Sequence, residues 1–353
     1  MSRKLLTLSL TTMLLGGTAF AEVPRVSVDI APLHSLVAQV MKGAGAPDLI
    51  IRPGASPHEY NLSPSEATAL QDADLVFWIG PGLTPWLSDG IETLASKAVV
   101  TELLEADGTV ELEFREGALF EAHAHDDHGE EDHDDHKDKA KDKAKDHSDH
   151  AGEDKDHDDH ADEHNDHDDH DEHAEDVHDD HGHGAHDPHA WLSPQNAMTW
   201  LNVIAGKLSN VDPENAGTYF ANAAAGRAEI ETMIGEVNAT LYPVRGGAFI
   251  VFHDAYQYFE LDFDFPASGA ISIGDASDPS PARIVEIQGR IAEENIDCVL
   301  AEPQYNPGLL ATVLDGTDAK TGVIDPLGYG LEPGPALYPQ LIRNLSHALV
   351  ECL

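Results

Sequence analysis

The sequence predicts an α/β protein with two (β/α)4 lobes, each built on a parallel sheet, joined by one long rigid α-helix. Three observations support this prediction. Short β-rich runs alternate with helical patterns in two sets of four, and a long helix-forming segment separates the sets. The length of 353 residues suits two lobes better than one small module.

Eight short β-rich runs are predicted as strands, and a helical pattern fits after each of them except the fourth. The predicted strands are residues 26–30, 49–51, 75–79 and 97–101, then 248–252, 270–273, 298–301 and 322–324. The predicted helices are residues 33–41, 63–71 and 86–96, then 255–259, 281–295, 307–315 and 338–350. Strands that alternate with helices indicate parallel sheets, and the repetition indicates two similar lobes.

A third element lies between the two sets. Asp212 and Pro213 form an N-cap followed by proline at the first helical position. The helical pattern continues to Leu241 with an apolar stripe, and Pro243 follows. Such a helix would be about 42 Å long. We therefore expect a rigid linker helix over 212–241, an N-terminal lobe over 22–211 and a C-terminal lobe over 242–353.

The first 21 residues indicate export. Arg3 and Lys4 precede an apolar run over 5–17, and Ala19-Phe20-Ala21 supplies a cleavage pattern of small residues. The run is short for a membrane anchor, which is the alternative interpretation. We expect a signal peptide over 1–21 and a soluble mature chain outside the cytoplasm.

The charge balance narrows the class of ligand. Asp and Glu number 65 and Lys and Arg number 20, so the formal net charge is −45. A surface this acidic repels nucleic acid and anionic lipid but attracts cations. The two cysteines are too few for a zinc cluster made of thiolates alone.

A histidine-rich insert occupies residues 121–188. It holds 17 His, 29 acidic residues and 6 Lys, with almost no large apolar side chains. Such a segment cannot bury a core, so we expect it to be disordered without ligand. Neutral imidazoles suit zinc, copper and nickel, and the histidine content favours metal capture. An acidic spacer would explain the carboxylates but not the histidines.

Three of the five histidines outside the insert adjoin predicted strands or the insert. His58 lies in the loop after the second predicted strand, His253 follows the fifth, and His189 lies just after the insert. Asp325 follows the last strand. Ligand groups gather at the carboxyl ends of parallel strands, and three imidazoles with one carboxylate suit tetrahedral zinc.

The other two histidines, His34 and His347, lie within predicted helices. For these two we expect ordinary core or surface roles.

Several motifs together resemble a known family. In chain order they are Gly-Ala-Ser-Pro-His-Glu-Tyr at 54–60, His-Ala-Trp-Leu-Ser-Pro at 189–194, Phe-His-Asp-Ala-Tyr at 252–256, Ala-Glu-Pro-Gln at 301–304 and Asp-Pro-Leu-Gly at 325–328. This order resembles the metal-binding, cluster A-I solute-binding proteins of bacterial ABC transporters. The insert and the cysteine pair most resemble the zinc-binding members. The resemblance covers the whole mature chain.

The resemblance implies a periplasmic protein that carries one Zn²⁺ ion in the cleft between its lobes. It implies delivery of that ion to an inner-membrane permease driven by a cytoplasmic ATPase. We further expect a monomer with no nucleic-acid partner. A periplasmic zinc buffer without a transporter and a manganese-binding family member are the alternatives. A secreted zinc hydrolase is disfavoured because the sequence has no His-Glu-x-x-His helix or serine elbow.

The resemblance also implies a set of metal ligands. The family ligands fall on His58, His189 and His253, and Asp325 matches the position where some relatives place a fourth, carboxylate ligand. Several zinc-binding members have an acidic residue just before the first histidine. Here that residue is Pro57, and Glu59 follows the histidine. The fourth ligand is therefore open among Asp325, Glu59 and water.

The metal preference is inferred from His253. Manganese-selective relatives usually have a carboxylate at this position. Manganese prefers oxygen ligands, so a third imidazole favours zinc.

Two carboxylates and two aromatic residues lie next to the predicted ligands, and each has two possible roles. Asp254 and Glu302 follow strands, where they could orient the ligand imidazoles or pair with an arginine or the backbone. Trp191 and Phe252 flank two predicted ligands, where they could exclude water from the cleft or pack in the core.

The two cysteines of the mature chain, Cys298 and Cys352, are expected to form a disulfide. The predicted compartment is oxidising, and free thiols seldom persist there. The bond would attach the C-terminal helix to the second sheet. Two separate thiols are the alternative.

Overall fold

The computed structural model describes residues 23–115, 120, 186–272, 279–304 and 307–353. The predicted signal peptide and residues 121–185 of the predicted insert lie outside the described residues. Within the described ranges, no helix has both the length and the apolar composition that a membrane span requires.

The first lobe is a four-stranded parallel sheet with three helices. Its strands are β1 Val26–Val28, β2 Asp48–Leu49, β3 Leu75–Trp78 and β4 Val99–Glu102. Its helices are α1 Ala31–Met41, α2 Pro64–Asp72 and α3 Pro85–Leu94. The strand order is β2-β1-β3-β4, and every neighbouring pair is parallel.

Two helices connect the lobes. They are α4 Pro194–Val211 and α5 Ala216–Leu241, and a 3-10 turn at Pro213–Asn215 lies between them. The long linker helix is confirmed as α5, whereas α4 was not predicted. The signals for α4 were present in the sequence. The hydroxyl of Ser193 caps the helix by accepting the Asn196 N–H (3.1 Å), and Pro194 occupies the first turn.

The second lobe repeats the first. Its strands are β5 Phe249–His253, β6 Gly269–Ser272, β7 Cys298–Ala301 and β8 Lys320–Val323. Its helices are α6 Gln257–Phe263, α7 Pro281–Glu293, α8 Pro307–Leu314 and α9 Leu337–Cys352. The order is β6-β5-β7-β8, again parallel throughout. Two (β/α) lobes with parallel sheets and a long connecting helix are thus confirmed.

The predicted bounds differ from the observed ones mainly at the ends of strands. His253 is the last residue of β5 and not the residue after it, because it still pairs in register with Ser272 of β6. Helix α6 begins two residues later than predicted. The reason is a tight turn in which the Ala255 N–H donates to the His253 carbonyl (2.9 Å).

Helix α5 is the element that both lobes share. It packs against α1 and α4 and also against the C-terminal helix α9. Its buried stripe includes Tyr219, Ile230 and Met233, and the neighbouring Ile234 is only half-buried. A Cβ at Gly226 would come within 3.0 Å of Leu201 on α4, so this glycine permits the close approach of the two helices.

The C-terminal helix α9 ties the lobes together. The Ser35 hydroxyl on α1 donates to the Pro335 carbonyl (3.1 Å) and accepts the Tyr338 N–H (2.9 Å). At the other end of α9, Cys352 is bonded to Cys298 of β7, with the Cα atoms 5.7 Å apart. Both cysteines are buried. The helix is therefore fixed to both lobes.

We expect reduction of the Cys298–Cys352 disulfide to lower the thermal stability of the protein. The bond closes a loop with a sequence separation of 54 residues. For a loop of this size the chain-entropy model gives a contribution of about 4 kcal/mol as an upper guide. Differential scanning calorimetry of the oxidised and reduced protein measures the effect, and Cys352→Ser should reproduce it. An unchanged melting temperature after complete reduction would contradict the prediction.

Candidate metal site

Three histidines from separate parts of the chain converge at one point. His58 lies in the loop after β2, His253 ends β5, and His189 immediately precedes a short 3-10 turn at Ala190–Leu192. The ring centres of His58 and His189 are 5.7 Å apart, and those of His189 and His253 are 5.3 Å apart. Imidazoles on one tetrahedral zinc ion have ring centres about 5 Å apart, given the usual Zn–N bond length. The spacing therefore suits a shared metal ion.

The three imidazoles line a small cavity to which both lobes contribute. Its lining residues are Ser56, Pro57, His58, His189, Trp191, His253, Gln304, Pro326 and Leu327. The volume of this cavity is about 10 Å³. This volume corresponds to about one water molecule. The cavity therefore has room for one ion among the three imidazoles.

The His58 loop is held by the first lobe and lies against the second. The indole N–H of Trp86 on α3 donates to the Pro57 carbonyl (2.7 Å), which fixes the backbone next to His58. Gly54 has a φ of +86°, and a Cβ there would overlap the ring of Tyr329 in the second lobe. Glycine therefore allows the loop to approach the residues that follow β8.

A buried carboxylate orients the ring of His189. Asp187 Oδ1 accepts the His189 backbone N–H (2.9 Å) and lies 2.7 Å from ring Nδ1. An ionised carboxylate can only accept hydrogen bonds, so Nδ1 carries the proton in this pair. The ring would then coordinate a metal through Nε2. The Asp-Pro-His spacing at 187–189 was the available sequence signal, but this role of Asp187 was not predicted.

A second buried carboxylate orients His253 in the same way. Ring Nδ1 of His253 lies 2.5 Å from Glu302 Oε1, and the Glu302 side chain is fully buried. The other carboxylate oxygen of Glu302 accepts a hydrogen bond from the side-chain amide of Gln304 (2.8 Å). Of the two readings left open for Glu302, the structure supports orientation of a ligand imidazole.

For Asp254 the other interpretation applies, because this residue pairs with an arginine. Its carboxylate lies 3.0 Å from the Arg115 guanidinium, which also forms a two-point contact with Glu260 (3.0 and 2.9 Å). Burial raises the pKa of Asp254 to about 7, although the charge of Arg115 opposes this shift. Arg115 thus links the chain that leads into the insert to the second lobe beside His253.

Trp191 forms one wall of the cavity and also packs in the core. Its ring centre is 5.3 Å from that of His189, and only 1% of the residue is exposed. Its indole N–H donates to the Pro326 carbonyl (2.8 Å), which joins the two lobes beside the cavity. Phe252 is buried in a core cluster of the second lobe and does not line the cavity.

Comparison with known proteins identifies the family. The family model described as ZnuA, zinc-uptake complex component A, periplasmic, matches residues 26–352. The chain belongs to this family.

One curated relative and two solved structures agree with the assignment. The high-affinity zinc uptake system protein ZnuA of Brucella abortus is 46% identical over 338 residues, covering 96% of this chain and 94% of the relative. A crystal structure of ZnuA has a TM-score of 0.67 at 18% identity, with 94% and 99% of the two chains covered. The solute-binding protein FpvC of Pseudomonas aeruginosa, solved with Mn²⁺, also scores 0.67 at 16% identity and covers 94% and 98%. At these identities the two structures support the fold alone.

The two candidates for a fourth, carboxylate ligand of this ZnuA-family chain lie beside the cavity. Neither Asp325 nor Glu59 is among the described residues that line it, and Glu59 is exposed. Asp325 Oδ1 accepts the N–H groups of Leu327 (3.0 Å) and Gly328 (2.9 Å), and Oδ2 accepts that of Tyr329 (2.6 Å). Asp325 therefore shapes the turn that forms one wall.

The other two histidines lie elsewhere in the chain. His34 is buried on α1 with Nε2 3.1 Å from the Pro47 carbonyl, and burial lowers its pKa. His347 is exposed on α9. Neither lines the cavity.

We expect neutral His189 and His253 to carry the ring proton on Nδ1 in the metal-free protein, because the acceptor beside a ring sets its tautomer. Nitrogen-15 NMR of the imidazoles near pH 8.5, well above the free histidine pKa of about 6.5, would show it. Glu302→Ala should shift His253 toward the Nε2–H form and leave His189 unchanged. Asp187→Ala should do the reverse, so each variant controls for the other. An Nε2–H tautomer for both rings in the wild type would refute the assignment.

Proposed function

We propose that this chain is the zinc-binding component of an ABC uptake system and binds one Zn²⁺ ion with His58, His189 and His253. The convergence of these three imidazoles in a cavity the size of one ion carries the proposal. Buried carboxylates behind two of the rings support it, because such partners orient ligand histidines and raise their basicity.

The donor set, and not the fold, favours zinc. A structure solved with Mn²⁺ shares this fold, so the fold is compatible with different metals. Manganese prefers oxygen ligands, whereas three imidazoles suit zinc. The name of the Brucella relative, a high-affinity zinc uptake protein, supports the same choice.

We assign the fourth coordination position to Asp325, with Glu59 and water as the alternatives. The two oxygens of Asp325 accept three backbone N–H groups, and a carboxylate has about four lone-pair sites. One site is therefore left for a metal. Because these N–H groups already hold the carboxylate, we expect Asp325 to contribute less to affinity than the histidines do.

Uptake fits the site better than catalysis does. Three imidazoles with carboxylates behind two of them suit the binding of a metal ion, and the sequence has no His-Glu-x-x-His helix or serine elbow. The family name places its members in the periplasm, which agrees with the predicted signal peptide. From there the chain would deliver zinc to an inner-membrane permease driven by a cytoplasmic ATPase, while the histidine-rich insert acts as an auxiliary, weaker zinc collector.

Removing any one ligand imidazole should weaken zinc binding without unfolding the protein. We expect His58→Ala, His189→Ala and His253→Ala each to lower zinc affinity by about tenfold or more, which is about 1.4 kcal/mol. Asp325→Ala should cost less, since water can replace the carboxylate. Competition titration against a chelator measures these affinities, and exposed His347→Ala is the matched control. A histidine variant with unchanged affinity would remove that residue from the site.

Deleting residues 121–185 should reduce the number of zinc ions bound and leave one tightly bound ion. Sites in the insert would pay ordering entropy on binding, so they should be weaker than the preformed cavity. Calorimetric titration of the full chain and the deletion variant compares both quantities.

The same deletion separates uptake from buffering. Cells that carry the deletion variant should still accumulate zinc when zinc is scarce, whereas cells with His253→Ala should not. Loss of tight binding together with the insert would refute the cavity proposal and favour a periplasmic buffer.

A further inference from the structure

A second group of metal-ligating side chains lies outside the cavity, where the predicted insert joins the fold. Its members are Glu105 in the loop after β4, Glu111 in the chain that leads toward the insert, and His186 in the chain that returns from it. One ligand atom from each lies within 4.8 Å of the other two. We call these three residues the basal cluster.

The backbone that carries the basal cluster is fixed by hydrogen bonds. Glu113 and His186 form an antiparallel bridge, and the Asp187 N–H donates to the Leu112 carbonyl (2.8 Å). Next to Glu111, the side chain of Asn196 on α4 accepts the Val110 N–H (2.7 Å) and donates to the Val110 carbonyl (3.0 Å). These bonds hold Glu111 beside His186 without any metal.

The distances and donor types suit a transition metal of the zinc class. Nδ1 of His186 lies 3.2 Å from Glu111 Oε2. Two donors on one tetrahedral zinc ion are about 3.4 Å apart, given Zn–N and Zn–O bonds of about 2.1 Å. One imidazole with two carboxylates is a donor set that zinc accepts, and it distinguishes this group from a patch of acidic residues.

The charge of the basal cluster also favours a cation. A protonated His186 could neutralise only one of the two carboxylates, and a neutral one could neutralise neither. The surroundings are acidic too: burial and then the charge of Glu105 raise the pKa of Glu102 to about 6. A divalent ion would balance the two carboxylates and leave the imidazole neutral, as coordination requires.

We propose that Glu105, Glu111 and His186 form a second divalent-metal site, distinct from the cavity, that binds Zn²⁺. The side chains of Glu111 and His186 are each 31% exposed, so water can complete the coordination sphere. With one imidazole and solvent access, the site binds zinc more weakly than the cavity does. Its occupancy does not depend on the cavity.

The test follows the chemical accessibility of His186 in the full-length protein. Diethyl pyrocarbonate modifies imidazoles that are not bound to metal, and peptide mass spectrometry reports the extent of modification at each histidine. Titration with Zn²⁺ should protect His186 in the wild type, while exposed His347 stays reactive. The double variant Glu105→Gln and Glu111→Gln should need about tenfold more zinc for half protection. The neighbouring Glu113→Gln should behave as the wild type does.

Two further measurements make the result decisive. Protection of His186 should persist in His189→Ala, which impairs the cavity and so separates this proposal from the preceding one. Anomalous scattering at the zinc edge should place an ion among the three side chains in zinc-loaded crystals. Unaltered protection in the double variant would show that other imidazoles protect His186, and the absence of protection would leave an ordinary ion pair. Either outcome overturns the proposal.

Discussion

The pairing of two buried carboxylates with two imidazoles is the interaction on which the candidate site depends. Asp187 and Glu302 are each about 2–3% exposed, and burying an ionised carboxylate is costly unless hydrogen bonds satisfy it. The backbone and ring of His189 satisfy Asp187, and His253 with Gln304 satisfies Glu302. The same bonds orient both rings, so that Nε2 would coordinate a metal in the proposed site. Stability and metal-binding geometry therefore rest on the same contacts.

The rest of the fold brings these pairs to one place. Both sheets have the same strand order, and β5 and β7 carry His253 and Glu302 at their carboxyl ends. Helix α5 packs against helices of both lobes, and α9 is tied to α1 by Ser35 and to β7 by the disulfide. The Trp191 indole, bonded to the Pro326 carbonyl, closes the contact beside the cavity. A site made from two lobes needs such a connection, because a small change in their separation would move the imidazoles apart.

Charge acts at a longer range than these contacts. A formal net charge of −45 attracts divalent cations to the protein and repels anions. Near the cavity, Arg115 offsets part of this negative charge because it pairs with both Asp254 and Glu260. At the basal cluster the negative charge is not offset in this way, because two carboxylates lie beside one imidazole. The two proposed sites thus differ in how they would bind a metal: the cavity through three imidazoles, and the basal cluster mainly through its negative charge.

The sequence by itself determined the fold class, the long helix and the candidate metal-binding histidines. Helix and strand patterns are local, so the alternation of strand and helix patterns and the Asp212-Pro213 cap could be recognised without a structure. The cysteine pair was readable because only two cysteines exist. Helix α4 was readable too, from the Ser193-Pro194 cap, but was overlooked. Only the tertiary structure decided that Glu302 and not Asp254 supports His253, that Asp187 supports His189, and that Asp325 caps a turn. Each of these outcomes depends on which side chains meet after distant segments pack together, and local spacing does not encode that meeting.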